Sequence, residues 1–401
     1  MSKSAPVFLR SLLSLVVFLG SFSHAQPYTD LPSIVGSERV RVVNILIDSP
    51  DARISGAAIR AFNLHGGFTP VRSGEQARLT LRPNGERSVI LNLAYQGQNF
   101  TETISGDDWL QATLLASDRA VERITGAPGF FAGKIAFVGE NTGHKEIYVG
   151  DILFQQLRRI TTDQSTALSP RWSPDGTRIL YTTYFRTGFP DIYEIDLRNN
   201  NRRPFATYKG VNNGAAFSPD GSQVAMIISS SGNPELYVSD ASGRAPRRLT
   251  NNRSAEASPT WSPDGRRLAL VSDQLAKPQI FIYNLTTNEF TRLRTNISGY
   301  CAEPSWNPKN PDEIAFTISQ GGGFQLAIFS FSKGTSRNIS REGGDAIEPA
   351  WLPDGRHLLY TRRNGGKTEL RIIDSFTGKT APLHAAAFGN ASQASFVMPR
   401  R

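Results

Sequence analysis

Apolar residues in this chain fall mostly into short runs of three to six, too short for helices and bounded by Gly, Pro, Asp and Asn. Such runs, cut by turn residues, predict strands rather than helices. One series recurs at a nearly fixed interval: Ile135-Ala-Phe137, Ile179-Leu-Tyr181, Val224-Ala-Met226, Leu268-Ala-Leu270, Ile314-Ala-Phe316 and Leu358-Leu-Tyr360. A second series follows within each interval at Asp191-Ile-Tyr193, Leu236-Tyr-Val238, Ile280-Phe-Ile282 and Leu370-Arg-Ile372, and a third at Arg247–Thr250 and Thr291–Leu293. Between copies stands an aromatic strand ending in a turn. These are Trp172-Ser-Pro-Asp-Gly176, Phe217-Ser-Pro-Asp-Gly221, Trp261-Ser-Pro-Asp-Gly265, the expanded Trp306-Asn-Pro-Lys-Asn-Pro-Asp312 and Trp351-Leu-Pro-Asp-Gly355. The aromatics are 44 or 45 residues apart. In the turn, Pro presets φ, Asp suits the next position and Gly takes the left-handed conformation that closes the hairpin.

A period of this length with four short strands per copy predicts a β-propeller. The run at Ile135 has no aromatic turn before it, whereas Phe396 lies one period beyond Trp351, just before the chain ends. The C-terminal strand is therefore expected to supply the innermost strand of the first blade and close a ring of six. The recurring tryptophans are expected to pack between blades.

Upstream the pattern changes. Val40–Ile47 is a buried-strand run, and Ile54–Leu64 places Ile54, Ala58, Ile59 and Phe62 on one helical face before Gly66-Gly67. Strands are expected at 68–71, 77–81, 88–95 and 100–104, with turns at Pro83-Asn-Gly85 and Gly97. The stripe Leu110, Leu114, Ser117, Val121 and Ile124 predicts a second helix over 107–125, with Asp107 and Asp108 at its positive end and Gly126 as its C-cap. The fold expected is mainly β, a six-bladed propeller of four-stranded blades (133–401) preceded by a small α/β domain (39–126) and a linker (127–132).

Composition adds location. Lys3 and Arg10, the apolar stretch from Ser11 to Gly20 and the small-residue end at Ser23-His24-Ala25 form a secretory signal (1–25), with cleavage expected between Ala25 and Gln26. Removing it lowers the formal charge from +9 to +7. No later stretch reads as a membrane span, and residues 26–38 read as a flexible arm. Arginine pairs such as Arg158-Arg159 and Arg247-Arg248 recur near the third strands and read as solvated blade rims, not a nucleic-acid surface. Cys301 is the only cysteine, so no internal disulfide can form, and it is expected to be a small buried residue.

The hairpin array, preceded by Ala116–Gly126 and then Phe130-Phe-Ala-Gly-Lys-Ile-Ala-Phe137, resembles the TolB family of the Tol-Pal envelope system over residues 39–401. The resemblance implies a periplasmic, non-catalytic adaptor that serves outer-membrane integrity and cell division. It would hold a peptidoglycan-associated lipoprotein, Pal, at the propeller mouth and contact TolA-like inner-membrane proteins through its N-terminal region. Gln26–Ser37 departs from the Val- and Ile-rich segment of the family there. A monomer is expected.

Loops entering the innermost strands should line one mouth of the axis. They nominate Asp163, Ser165, Leu168, Asn212, Asn213, Glu256, Ser258, Tyr300, Glu303, Asp345 and Glu348 as partner-binding residues. The recurring carboxylates predict an acidic or mixed mouth that suits a Lys- or Arg-bearing partner, and Glu303 and Glu348 are expected to be replaceable by Lys without much loss of melting temperature. No catalytic residue, cofactor or metal is assigned: there is no G-x-S-x-G elbow, and the five histidines are scattered. A glycan- or ion-binding propeller is the alternative, and a lyase or glycosidase built on mouth carboxylates is a further one.

Overall fold

The computed structural model describes residues 42–398. The signal, its cleavage site at Ala25 and Gln26, and the arm at 26–38 lie outside the described residues. Among the described residues there are one five-stranded sheet and six four-stranded sheets.

The N-terminal sheet is built from β1 (Val43–Asp48), β2 (Phe68–Val71), β3 (Ala77–Pro83), β4 (Ser88–Tyr95) and β5 (Gln98–Ser105), in the order β2-β1-β3-β4-β5. Strand β1 runs parallel to β2 and β3, and the remaining pairs are antiparallel hairpins. Helix α1 (Ala52–Leu64) makes the crossover from β1 to β2, capped by Asp51, whose carboxylate accepts the Arg53 N–H at 2.8 Å. Its buried face is Ile54, Ala57, Ala58, Ala61, Phe62 and Leu64, whereas Ile59 is exposed. Ile59 lies one residue, about 100°, beyond Ala58 around the helix, which turns it off the core. Helix α2 (Trp109–Thr125) starts at the Asp108 cap and ends at Gly126, whose φ of 74° is the left-handed C-cap conformation.

Residues 127–132, expected as a linker, are held in place. The Asp118 carboxylate accepts the N–H groups of Phe131 at 2.7 Å and Ala132 at 2.9 Å, and both Phe130 and Phe131 are fully buried. Each buried phenyl ring contributes about 1.5–3 kcal/mol. The two rings pack on Phe62 and His65, so this segment is a wedge between the α/β domain and the first blade.

Each blade is a four-stranded antiparallel sheet whose innermost strand follows the period: Ala167–Trp172, Asn212–Phe217, Glu256–Trp261, Cys301–Trp306 and Asp345–Trp351 for blades two to six. Blade one takes its innermost strand from the C-terminus. Ala391–Val397 pairs antiparallel with Lys134–Gly139, and Phe396 lies opposite Ile135. Gly133 is required there, because a Cβ would fall 1.9 Å from the Phe396 ring.

The turns follow from their side chains. Gly176, Gly221 and Gly265 each donate to the Ser three residues earlier at 2.9 Å, and the Ser hydroxyl is bonded to the turn Asp. Two indoles reach back across the blade junction: Trp261 Nε1 donates to the Ala216 carbonyl and Trp351 Nε1 to that of Ser305. Apolar clusters lie between successive blades, and the α/β domain shares one core with blades one and six. Cys301 is buried in one such cluster, its Sγ 3.3 Å from the Thr295 hydroxyl.

Candidate functional site

Antiparallel order fixes which loops share a face. Turns from the first to the second strand, and from the third to the fourth, lie at one end of the axis. Loops from the second to the third strand, and those leading into the next blade, lie at the other. The α/β domain packs on the first end, through blade six. Gly66 donates its N–H to His357 Nε2 at 3.1 Å, and Lys379 Nζ reaches the carbonyls of His65 and Phe68 at 3.4 and 3.3 Å. Gly66-Gly67 thus does more than end α1. A Cβ on Gly66 would fall 1.9 Å from Asp374 Oδ2, so the missing side chain is what lets the domains touch.

His65, Asp354 and His357 are buried together here, with ligand atoms within 4.8 Å of one another. Three of the four ring nitrogens are engaged: His65 Nδ1 accepts the Gly67 N–H at 3.0 Å, His357 Nε2 accepts Gly66, and His357 Nδ1 lies 2.5 Å from Asp354 Oδ2. The trio is therefore a hydrogen-bonded joint. Burial, then the charge of His357 when protonated and those of Arg356 and Lys379, push the His65 imidazole well below its ordinary value of 6.5. Burial works to raise the Asp374 carboxyl, but its hydrogen bonds to Arg356 and to the Phe376 N–H, with the charges beside it, together hold it low.

All eleven nominated residues lie on the innermost strands or on the loops leading into them, at the other, open end. Three are withdrawn from the surface. Leu168 is buried, and Asn212 is fully buried, its amide bonded to the Tyr208 carbonyl at 2.7 Å and to Asp191 at 3.1 Å. Glu256 is 2% exposed and accepts from Asn252 and Ser272, both at 3.0 Å; burial and the neighbouring Glu235 push its carboxyl up. The acids nearer the surface are also committed. Asp163 pairs with Arg202 at 2.6 Å, and Asp345 pairs with Arg363 at 2.7 Å and accepts the Phe324 N–H. Tyr300 packs edge-on against Phe324, and burial pushes its hydroxyl up to about 12. Ser165, Asn213 and Ser258 are half-buried.

The bulge in each innermost strand explains the remaining pair. Ser169, Gly214, Ser258, Glu303, Glu348 and Gln393 occupy equivalent positions, all with positive φ between 52° and 65°. Where the side chain is long, it bonds the next blade. Glu303 Oε2 accepts the Glu348 N–H at 2.8 Å and the Thr317 hydroxyl at 2.7 Å. Glu348 Oε2 accepts the Gln393 N–H and the Thr361 hydroxyl, and Gln393 Oε1 accepts the Ser169 N–H at 2.8 Å. Burial and the charge of Glu348 push the Glu303 carboxyl up to about 7. Arg171 has its surface open to the axial channel yet is ringed by protein; this enclosure lowers its guanidinium, while Glu348 and Glu303 oppose the shift.

Glu303 and Glu348 are thus fasteners between blades as well as channel-lining groups, and replacing them with Lys should lower the melting temperature, contrary to the sequence expectation. Aligning the copies at 45 residues would have found Gln393. Nothing in the repeat pointed to the exposed rim of the open end: Phe185 and Phe189, 50% and 48% exposed, on a loop of blade two, Tyr208 on the loop that follows that blade, and Leu275 on a loop of blade four.

The family model of the TolB β-propeller domain matches residues 121–397. The chain belongs to the TolB β-propeller domain family. Among relatives, the Tol-Pal system protein TolB of Desulfosudis oleivorans is 33% identical over 196 residues, 49% of this chain and 42% of that protein. That of Alcanivorax borkumensis is 34% identical over 119 residues, 29% of this chain and 27% of the relative. The chain therefore spans less than half the length of the curated relatives it matches. The crystal structure of TolB from Acinetobacter baumannii is similar across 89% of this chain and 97% of its own, with a TM-score of 0.78 at 24% identity. At that identity the likeness to the TolB structure concerns fold, and it takes in the α/β domain along with the propeller.

Proposed function

We propose that this chain is a periplasmic, non-catalytic adaptor of the Tol-Pal system that holds a Pal-like peptidoglycan-associated lipoprotein at the open end of its propeller. Membership of the TolB propeller family carries the reading, and the relatives named for the Tol-Pal system support it. The geometry adds a surface: three exposed aromatics stand on the end of the axis that the α/β domain leaves uncovered. Aromatic side chains at a rim are effective anchors because they bury a large area with few rotamers to freeze. The N-terminal leader, read from residues 1–25, supports export to the periplasm, and among the described residues no helix is long and apolar enough to cross a membrane.

Glu303 and Glu348 each accept a backbone N–H and a threonine hydroxyl through Oε2, which ties both side chains to the junctions between blades. Contacts of TolA-like proteins with the N-terminal region belong to the same proposal. The experiment is calorimetric titration with the soluble domain of the Pal-like lipoprotein. Replacing Phe189 and Tyr208 together by Ala should weaken binding by about 1–3 kcal/mol while leaving the melting temperature within about 2 °C. Unchanged affinity in that double variant would remove the open end as the contact surface.

A further inference from the structure

The partner's charge can be read from what the open end leaves unpaired. Its carboxylates are consumed internally: Asp163 by Arg202, Asp345 by Arg363, Glu342 by Tyr360, Arg362 and Arg371, and Glu256 by burial. On blade one Lys145 is paired with Glu140, but most basic side chains of the loops at this end are not consumed. Arg186, Lys209, Arg253, Lys277, Arg341 and Lys367 are all exposed, and among the described residues none of them enters an ion pair. They are distributed over blades two to six. Asp273 is the acid that these loops leave exposed. A count of carboxylates alone takes no account of the charges already neutralised at 2.6–2.8 Å.

We infer that the open end receives an acidic protein surface bearing apolar side chains, in place of the Lys- or Arg-rich partner that the sequence suggested. The inference rests on the reading that this end is the contact surface. Unpaired cations at a rim lose little on binding a carboxylate and speed encounter with an acidic partner, whereas a basic partner would face like charges with few acids to offset them. Phe185, Phe189, Tyr208 and Leu275 stand among these cations, and an apolar cluster of that kind favours a protein over a phosphorylated glycan. Arg186 and Lys209 flank the aromatics on blade two and mark where the acidic groups should lie.

The test uses the full mature chain and its Arg186→Glu, Lys209→Glu, Lys277→Glu triple variant, with the corresponding triple Gln variant to separate lost attraction from added repulsion. All three side chains are exposed and unpaired, so the thermal midpoint serves as a check on folding. The probes are the soluble Pal-like domain, a short peptide of Glu and Ser around one Trp, its Lys-for-Glu counterpart, and a phosphorylated envelope oligosaccharide. Binding of the Pal-like domain should weaken about tenfold or more in the Glu variant, less in the Gln variant, and should weaken with added salt. The acidic peptide should bind and protect amides of 184–190 and 207–211, and the Lys peptide should not. Tighter or unchanged binding by the Glu variant, or preference for the Lys peptide, overturns the sign. Preference for the oligosaccharide over the acidic peptide overturns the protein class. If the Pal-like domain fails to bind even the unaltered chain, the proposed partner falls while the peptide pair still decides the sign.

Discussion

The two ends of the propeller axis are built from the same repeat and put to different use. At the covered end, Gly66 and Gly67 are pressed against Asp374 and Arg356, two imidazoles serve as acceptors for consecutive backbone N–H groups, Arg356 is paired with Asp374, and Lys379 is bonded to two backbone carbonyls. At the open end, side chains that neighbours could neutralise have been neutralised, and aromatics and cations remain in solvent. Close packing and satisfied polar groups mark a surface finished within the chain; unspent side chains mark one completed from outside.

Steric substitution breaks the comparison most sharply. Gly66→Ala should cost about 3 kcal/mol, because the new Cβ falls on buried Asp374 and the domains must separate to admit it. Gly321→Ala, at the open end with nothing within 4 Å and a φ of 61°, should cost about 1 kcal/mol from backbone strain alone. Denaturant midpoints of the two variants measure the difference, and equal costs would erase the contrast.

Next come the fasteners of the channel. Glu348→Ala removes the acceptor of the Thr361 hydroxyl and of the Gln393 side-chain amide and leaves the Gln393 N–H with the Thr361 oxygen alone, a loss of about 2 kcal/mol that should appear in the urea midpoint. This variant also tests ring closure, since Gln393 belongs to the strand that completes blade one.

The joint should respond to acid. His65 has its folded pKa lowered, so its contribution to stability is fully present above about 6.5 and declines as pH falls below that value, by at most about 1.4 kcal/mol per pH unit for one proton. His65→Asn, whose Oδ1 can accept the Gly67 N–H without titrating, should flatten the stability curve between neutral and mildly acidic pH. A curve of unchanged slope would show that other groups dominate.

Glu303 runs the opposite way. Its folded value of about 7 lies above the ordinary 4.5, so the native state prefers the protonated acid and loses stability as pH rises from 4.5 through 7. Glu303→Gln should therefore raise the melting temperature above neutral pH by about 1–3 °C and change it little in acid. Differential scanning calorimetry at two pH values decides it.

Much of the architecture was legible because each blade repeats its own signals. The Pro-Asp-Gly turns, the 45-residue spacing and the orphan first blade were enough to place Phe396 opposite Ile135. Helix α2 was legible from its apolar stripe and its Gly126 cap, and Asp108, read only as a charge at the positive end, proves to be its N-cap. The site was read less well, since contacts between blades depend on which side chain meets which across the ring. No local pattern distinguishes Glu256, buried beside Glu235, from Asp273, left in solvent. Gly66 looked like a helix stop and proved to be a contact surface, a distinction set by Asp374, more than 300 residues away in sequence.

The most direct measurement is amide hydrogen exchange across the whole chain, with and without the soluble Pal-like domain. The account predicts new protection confined to the open end, at 184–190, 207–211 and 273–278, with the turns at 352–356 and 374–378 unchanged. Protection of those two turns, with the open-end loops unaffected, would contradict it.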